Sequence, residues 1–198
     1  MFIVKIIILV QNKISNNIKF FLRSTIMGKH NLQFEIEKSW WVKDINKKLW
    51  NIMKRLATKF EVTQYYIKPS QPGNPLIRYR KMNEKYYITI KKQAGKKRIE
   101  DEREISKDEY ENNKKNIIGN IIEKTRYKIK DSQTLLTFEF DEYKLPKDYK
   151  GIIRLEIEFK SVKDMESFKL EENKLLCKIA DSYETTSIGN QDIANVNR

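Results

Sequence analysis

The sequence predicts an α+β fold that is mainly antiparallel β, its strands closing into a barrel with a charged interior and helices packed outside. Three observations carry this expectation. Eight segments alternate apolar and polar residues, most of them joined by short links, with two helical inserts. The polar side of each strand is rich in charge. Those charges are sorted by strand, acidic pairs on the first and last and basic pairs between them. An ordinary sheet with one face in water gains nothing from such sorting. A barrel with a charged interior does, because like charges withdrawn from water need partners of opposite sign.

Residues 33–42 form the first strand. Alternate side chains of a strand share a face, so Glu35 and Glu37 point one way and Phe34 and Ile36 the other. Residues 44–59 predict a helix, since Ile45, Leu49, Ile52, Met53 and Leu56 recur at helical spacing and Asp44 offers an N-cap. A strand over 62–67 runs into the Pro/Gly turn at 69–75. Strand 76–82 puts Arg78 and Arg80 on one face. After a tight turn at Asn83 and Glu84, strand 86–92 sets Ile88 and Ile90 against Thr89 and Lys91. A loop over 93–97 precedes strand 98–105, where Arg98, Glu100, Glu102 and Glu104 share a face. Ser106 and Glu109 have capping-box spacing and open a polar helix reaching about Lys115. Strand 121–129 groups Lys124 with Arg126. Strand 135–143 sets Glu139 and Asp141 opposite Phe138 and Phe140. Strand 152–161 repeats the opening pattern, with Glu156 and Glu158 facing away from Leu155, Ile157 and Phe159. Residues 162–175 predict a helix.

The 198 residues suffice for one domain with a sizeable core. The expected division is an N-terminal extension over 1–26, the functional domain over 27–181 and a polar tail over 182–198. The apolar start at residues 1–10 is too short to span a bilayer as a helix, and no stable membrane span is expected. A net charge of +13 favours polyanionic partners. The single cysteine, Cys177, permits no intrachain disulfide and suits a reducing, cytoplasmic setting. The single histidine, His30, precedes the first strand and rules out a multi-histidine zinc site. Carboxylates in groups of four suit a hard cation bound through oxygen, Mg2+ or Mn2+. Rows of Arg and Lys beside them suit phosphates. The implied contents are a metal ion and a short, densely anionic polyphosphate.

Glu35-Ile-Glu37, Arg78-Tyr-Arg80, Ile90-Lys91, Arg98-Ile-Glu100-Asp-Glu102, Lys124-Thr-Arg126-Tyr127 and Leu155-Glu-Ile-Glu158 together resemble the ordered signature of the CYTH, or triphosphate tunnel metalloenzyme, superfamily. The likeness covers roughly residues 27–161, with a weaker echo at Gly189 and Asn190, and the order and charge sorting of the motifs make it specific where each motif alone is weak. It implies an eight-stranded antiparallel tunnel that hydrolyses triphosphates with Mg2+ or Mn2+. Relatives include inorganic triphosphatases, thiamine triphosphatases, class IV adenylate cyclases and some RNA triphosphatases. Carried over, Glu35, Glu37, Glu156 and Glu158 would hold metal and carry catalysis. Arg78, Arg80, Lys91, Arg98, Lys124 and Arg126 would bind substrate phosphates, with Glu100, Glu102 and Asp141 behind them. The small triphosphate is the expected partner, nucleic acid entering only as a 5′-triphosphate end, and the chain is expected as a monomer or homodimer.

One position departs from the pattern. The resemblance calls for Glu-x-Glu-x-Lys, and Ser39 stands where the lysine belongs. Lys38 is adjacent but has the opposite parity, so only a bulge would turn it inward. Two rivals follow: a binding protein that holds polyphosphate or nucleotide without turnover, and an RNA 5′-triphosphatase or class IV adenylate cyclase-like enzyme.

Overall fold

The computed structural model describes residues 31–68, 75–94 and 97–195, with 31–35 and 91–99 described by their backbone. Ten strands form one sheet: β1 (Asn31–Glu35), β2 (Glu37–Ile45), β3 (Thr58–Ile67), β4 (Ile77–Met82), β5 (Lys85–Ala94), β6 (Lys97–Ile105), β7 (Ile117–Lys130), β8 (Thr137–Leu145), β9 (Ile153–Glu158) and β10 (Ala180–Thr185). Among the described residues, five short α-helices accompany them: α1 (Lys47–Leu56), α2 (Lys107–Asn113), α3 (Val162–Ser167), α4 (Leu176–Ile179) and α5 (Asn190–Ile193). Every strand pairing is antiparallel, in the order β1-β6-β5-β4-β3-β7-β8-β9-β2-β10.

The strand count exceeds the expected eight for two local reasons. The opening strand divides at Ile36, its first half pairing with β6 and its second with β9. Residues past 180 add β10 along β2. The hydrogen-bond ladder does not close on itself, so the closed barrel is not drawn by backbone bonds. Its first strand is nevertheless tied to the far side of the sheet, because Ile36 alone separates β1 from β2, the strand beside the last one, and the Ile36 carbonyl accepts from Phe159 N at 2.7 Å. The sheet is also strongly curled. Glu100 on β6 and Glu158 on β9 have five strands between them in the ladder, yet the charge of one acts on the other.

Apolar residues on one face build the core. Trp40, Phe138, Phe140, Leu155 and Ile157 form its centre, all under 5% exposed. Helix α1 lays Trp50 and Met53 on it, with Trp50 edge-on to Tyr127 and Phe140 at 5.6 and 5.4 Å. Helix α2 covers a second cluster, its Tyr110 packing on Tyr65 and Tyr86. Its cap is the one expected: Ser106 Oγ accepts from Glu109 N at 3.0 Å.

Other elements differ from expectation. Helix α1 is capped by Asn46 rather than Asp44, because pairing with β10 prolongs β2 to Ile45 and Asp44 falls within the strand at a positive φ of 49°. The expected helix over 162–175 breaks up. Phe168 turns extended and packs on Trp40, Phe138 and Phe159, and Asn173 caps the backbone of Leu175 and Leu176. The expected boundary at 182 falls inside β10, and Ile193 at the end of α5 and Ala194 after it are buried. The extension over 1–26 and His30 lie outside the described residues. Among the described residues, no helix is long and apolar enough to cross a membrane.

Candidate active site

The opposite face of the sheet is a field of charge, and most of it is buried. Strand register sets it out in rows. Arg126, Asp141 and Arg154 lie side by side across β7, β8 and β9, and Lys128, Glu139, Glu156 and Ser39 make the next row, running on to β2. Glu37 then stands directly opposite Glu158. On the other half of the sheet, Arg78, Thr89 and Glu102 form a row across β4, β5 and β6.

Each cation is held by carboxylates. Arg126 donates Nε to Asp141 Oδ1 at 2.6 Å and Nη2 to Asp141 Oδ2 at 2.7 Å, and it reaches Glu139 and Glu156 as well. Such fork-to-fork pairs fix a guanidinium plane in place. Lys124 donates to Asp141 and, at 3.3 Å, to Asn190 Oδ1, which also accepts from the Tyr143 hydroxyl at 3.0 Å. Arg154 donates to Glu156 and to Ser39 Oγ, the latter at 2.8 Å. Across the site, Arg78 donates to Glu100 at 2.8 Å and Arg80 to Glu102 at 2.7 Å, while Thr89 Oγ1 donates to Glu102 at 2.7 Å.

Burial gives these groups unusual protonation behaviour. It pushes the Lys124 ammonium down to about 8 against the pull of Asp141. Burial also opposes ionisation of Asp141, but the charges of Arg126 and Lys124 outweigh it and hold the carboxyl below the usual range. Arg80 is lowered by burial and by the neighbouring Arg78 charge. Glu158 is raised, by burial first and then by the charges of Glu139, Glu100 and Glu37. Tyr66, between the two halves of the field, is pushed up to about 12 by burial; the charges of Arg78 and Arg80 on one side and Glu156 and Arg154 on the other also reach it.

The structure brings Arg78, Arg80, Lys124, Arg126, Asp141, Glu100, Glu102 and Glu156 onto this one face, with Glu37 and Glu158 at one end of it. Glu35, Lys91 and Arg98 are placed by strand register alone, Glu35 opposite Arg98 and Lys91 opposite Glu100. Three participants were not among the expected site residues: Arg154, Glu139 and Asn190. Parity could have found the first two, since Arg154 is two residues before Glu156 and Glu139 two before Asp141. Asn190 belongs to the weaker echo of the family pattern at Gly189 and Asn190, and the tertiary placement of α5 brings it to the site.

Among the described residues, no group of three or more His, Cys, Asp or Glu side chains gathers around one point. Glu156 has Arg154 on Oε1 and Arg126 on Oε2. The pair Glu37 and Glu158 fits a hard divalent cation in kind: like charges facing each other across two strands are destabilising without a cation between them. Glu37 adds to the raised protonation of Glu158, after burial and the charges of Glu139 and Glu100.

No family model and no curated protein sequence matches the chain. Solved structures do. The inorganic triphosphatase NE1496 superposes with a TM-score of 0.50 at 20% identity, over 86% of this chain and 98% of that one. HpAC1 from Hippeastrum, an adenylyl cyclase candidate with a dominant triphosphatase activity, gives 0.57 at 15% identity, over 83% and 96%. An adenylate cyclase candidate from Bacillus halodurans gives 0.58 at 14% identity, over 81% and 97%. The fold is the CYTH fold. At such low identity the likeness speaks for the fold alone. Within the CYTH fold, the acid and base rows of this chain occupy the curled, buried face described above.

Proposed function

We propose that this protein hydrolyses a triphosphate compound, inorganic tripolyphosphate first among them, inside a tunnel formed by the curled sheet. The reading is carried by one observation. The buried Arg78, Lys124 and Arg126 and the partly buried Arg80 share the inner face, each paired to a carboxylate of that same face. Pairing keeps the cations charged and oriented without substrate. A chain of phosphates offers the same donors a denser set of oxygens, so guanidinium groups can pass from carboxylate to phosphate with little reorganisation. Catalysis is then positioning and charge neutralisation on the transferred and leaving phosphates, with no covalent intermediate.

Mg2+ or Mn2+ would be held by Glu37 and Glu158 with Glu35, and by Glu156 once its guanidinium partners turn to phosphate. Bound there, it would supply Lewis-acid charge neutralisation to phosphate oxygens and to the attacking water. Glu100, Glu102, Glu139 and Asp141 orient the cations. The exposed, unpaired Cys177 suits a reducing cytoplasmic compartment.

A binding protein without turnover is the second reading, favoured by Ser39 at the expected lysine position. Release of phosphate from tripolyphosphate with Mg2+ or Mn2+ separates the two. The wild type should release phosphate, and Glu156→Ala with Glu158→Ala should not; retention of activity by that double variant would falsify the assignment. Comparing a 5′-triphosphorylated oligonucleotide and ATP with free tripolyphosphate distinguishes the RNA-directed and cyclase-like alternatives.

A further inference from the structure

We propose that Arg154 is a substrate-binding residue of this site, a phosphate-gripping cation supplied from β9 in the place that Ser39 leaves open on β2. The inference rests on the triphosphatase reading above and adds a residue to it. Ser39 is opposite Glu156 in register, and Arg154 shares the inner face with Glu156 two residues away. The guanidinium crosses to β2, donating Nη2 to Ser39 Oγ at 2.8 Å and Nη1 to Glu156. It therefore occupies the space into which an inward side chain at position 39 would extend. A hydroxyl fits there because it is short and accepts a hydrogen bond. A lysine would place a second cation against the first.

Lys38 does not fill the gap. Its ammonium sits 5.4 Å from the ring centroid of Trp40, on the apolar side of β2, so no bulge turns it inward. Ser39 and Arg154 thus act as a matched pair, moving a positive charge from one strand to its neighbour while keeping it on the inner face.

A purely structural role explains Arg154 less well. Glu156 already has Arg126 on its other oxygen, so it does not need a second guanidinium to be neutralised. Arg154 is only 4% exposed, and its Nε is buried with no hydrogen-bond partner among the described residues. Leaving a buried donor unmet costs stability, and it is the kind of cost a binding site carries for a ligand oxygen. Arg80 Nε, across the inner face, is in the same condition.

The test is tripolyphosphate binding by calorimetry, with Mg2+ present, on the full chain. Arg154→Gln should weaken binding by roughly ten-fold or more, the size of one lost charge-assisted contact. Arg154→Leu should do the same, and Arg154→Leu with Ser39→Lys should recover most of the lost affinity by returning the cation from β2. A folded Arg154→Gln that binds tripolyphosphate like the wild type overturns the proposal and leaves the triphosphatase reading standing. If the single variants fail to fold, the double variant decides: wild-type-like affinity supports the exchange, and absent binding overturns it. A wild type that binds no tripolyphosphate removes both readings together.

Discussion

Replacing Arg126 with leucine takes one guanidinium from three carboxylates at once: Asp141, Glu139 and Glu156. Breaking a buried ion pair from one side costs about 3–5 kcal/mol, because the partner is left charged in a poorly solvated place. The lower end applies here. Lys124 still serves Asp141, Arg154 still serves Glu156, and Lys128 still serves Glu139. About 3 kcal/mol corresponds to a fall of roughly 6–12 °C in the thermal midpoint of a domain this size. Urea unfolding at neutral pH measures the free energy, and repeating it at lower pH tests the cause. In the wild type Asp141 is held below its ordinary range, so its contribution is present above the unfolded pKa and fades as pH drops through the folded one. Without Arg126, Lys124 alone opposes the burial of Asp141, so the carboxyl contributes less at neutral pH and the variant has less to lose as pH falls. The gap between the two proteins should therefore narrow on acidification. A loss below about 1 kcal/mol, or a gap that stays constant with pH, refutes the claim that buried charge pairing organises this face.

Lys124 supplies a second prediction. With its ammonium lowered to about 8, it is cationic below that pH and neutral above it, so tripolyphosphate affinity should fall as pH rises through about 8. In Lys124→Arg, whose charge persists, titration should show that step removed. Ending the chain after Ile188 removes α5, the buried Ile193 and Ala194, and the Asn190 contact to Lys124 and Tyr143. Roughly 2–4 kcal/mol should be lost, read as a lower thermal midpoint; an unchanged midpoint would mean that this segment does not support the inner face.

Much of this protein follows from local pattern. Period-two alternation fixes which side of a strand meets the core, so Phe138 and Phe140 went to the apolar core, Phe140 against Trp50, while Asp141 went to Arg126. The same parity put Arg78 and Arg80 together on one face. Ser106 capped its helix because a cap needs only residues within one turn. Tertiary structure decided what depends on contacts distant in the chain. The change of partner at Ile36, the addition of β10 and the breaking of the helix after Ser167 all serve packing among residues far apart in sequence. Ser39 shows the division most clearly. Read alone it is a missing cation, and read in place it is the acceptor that seats Arg154, 115 residues further along the chain. Sequence dictates the face a side chain takes, but only the folded sheet decides which distant charge it meets there, because long-range pairing is what determines the neighbours.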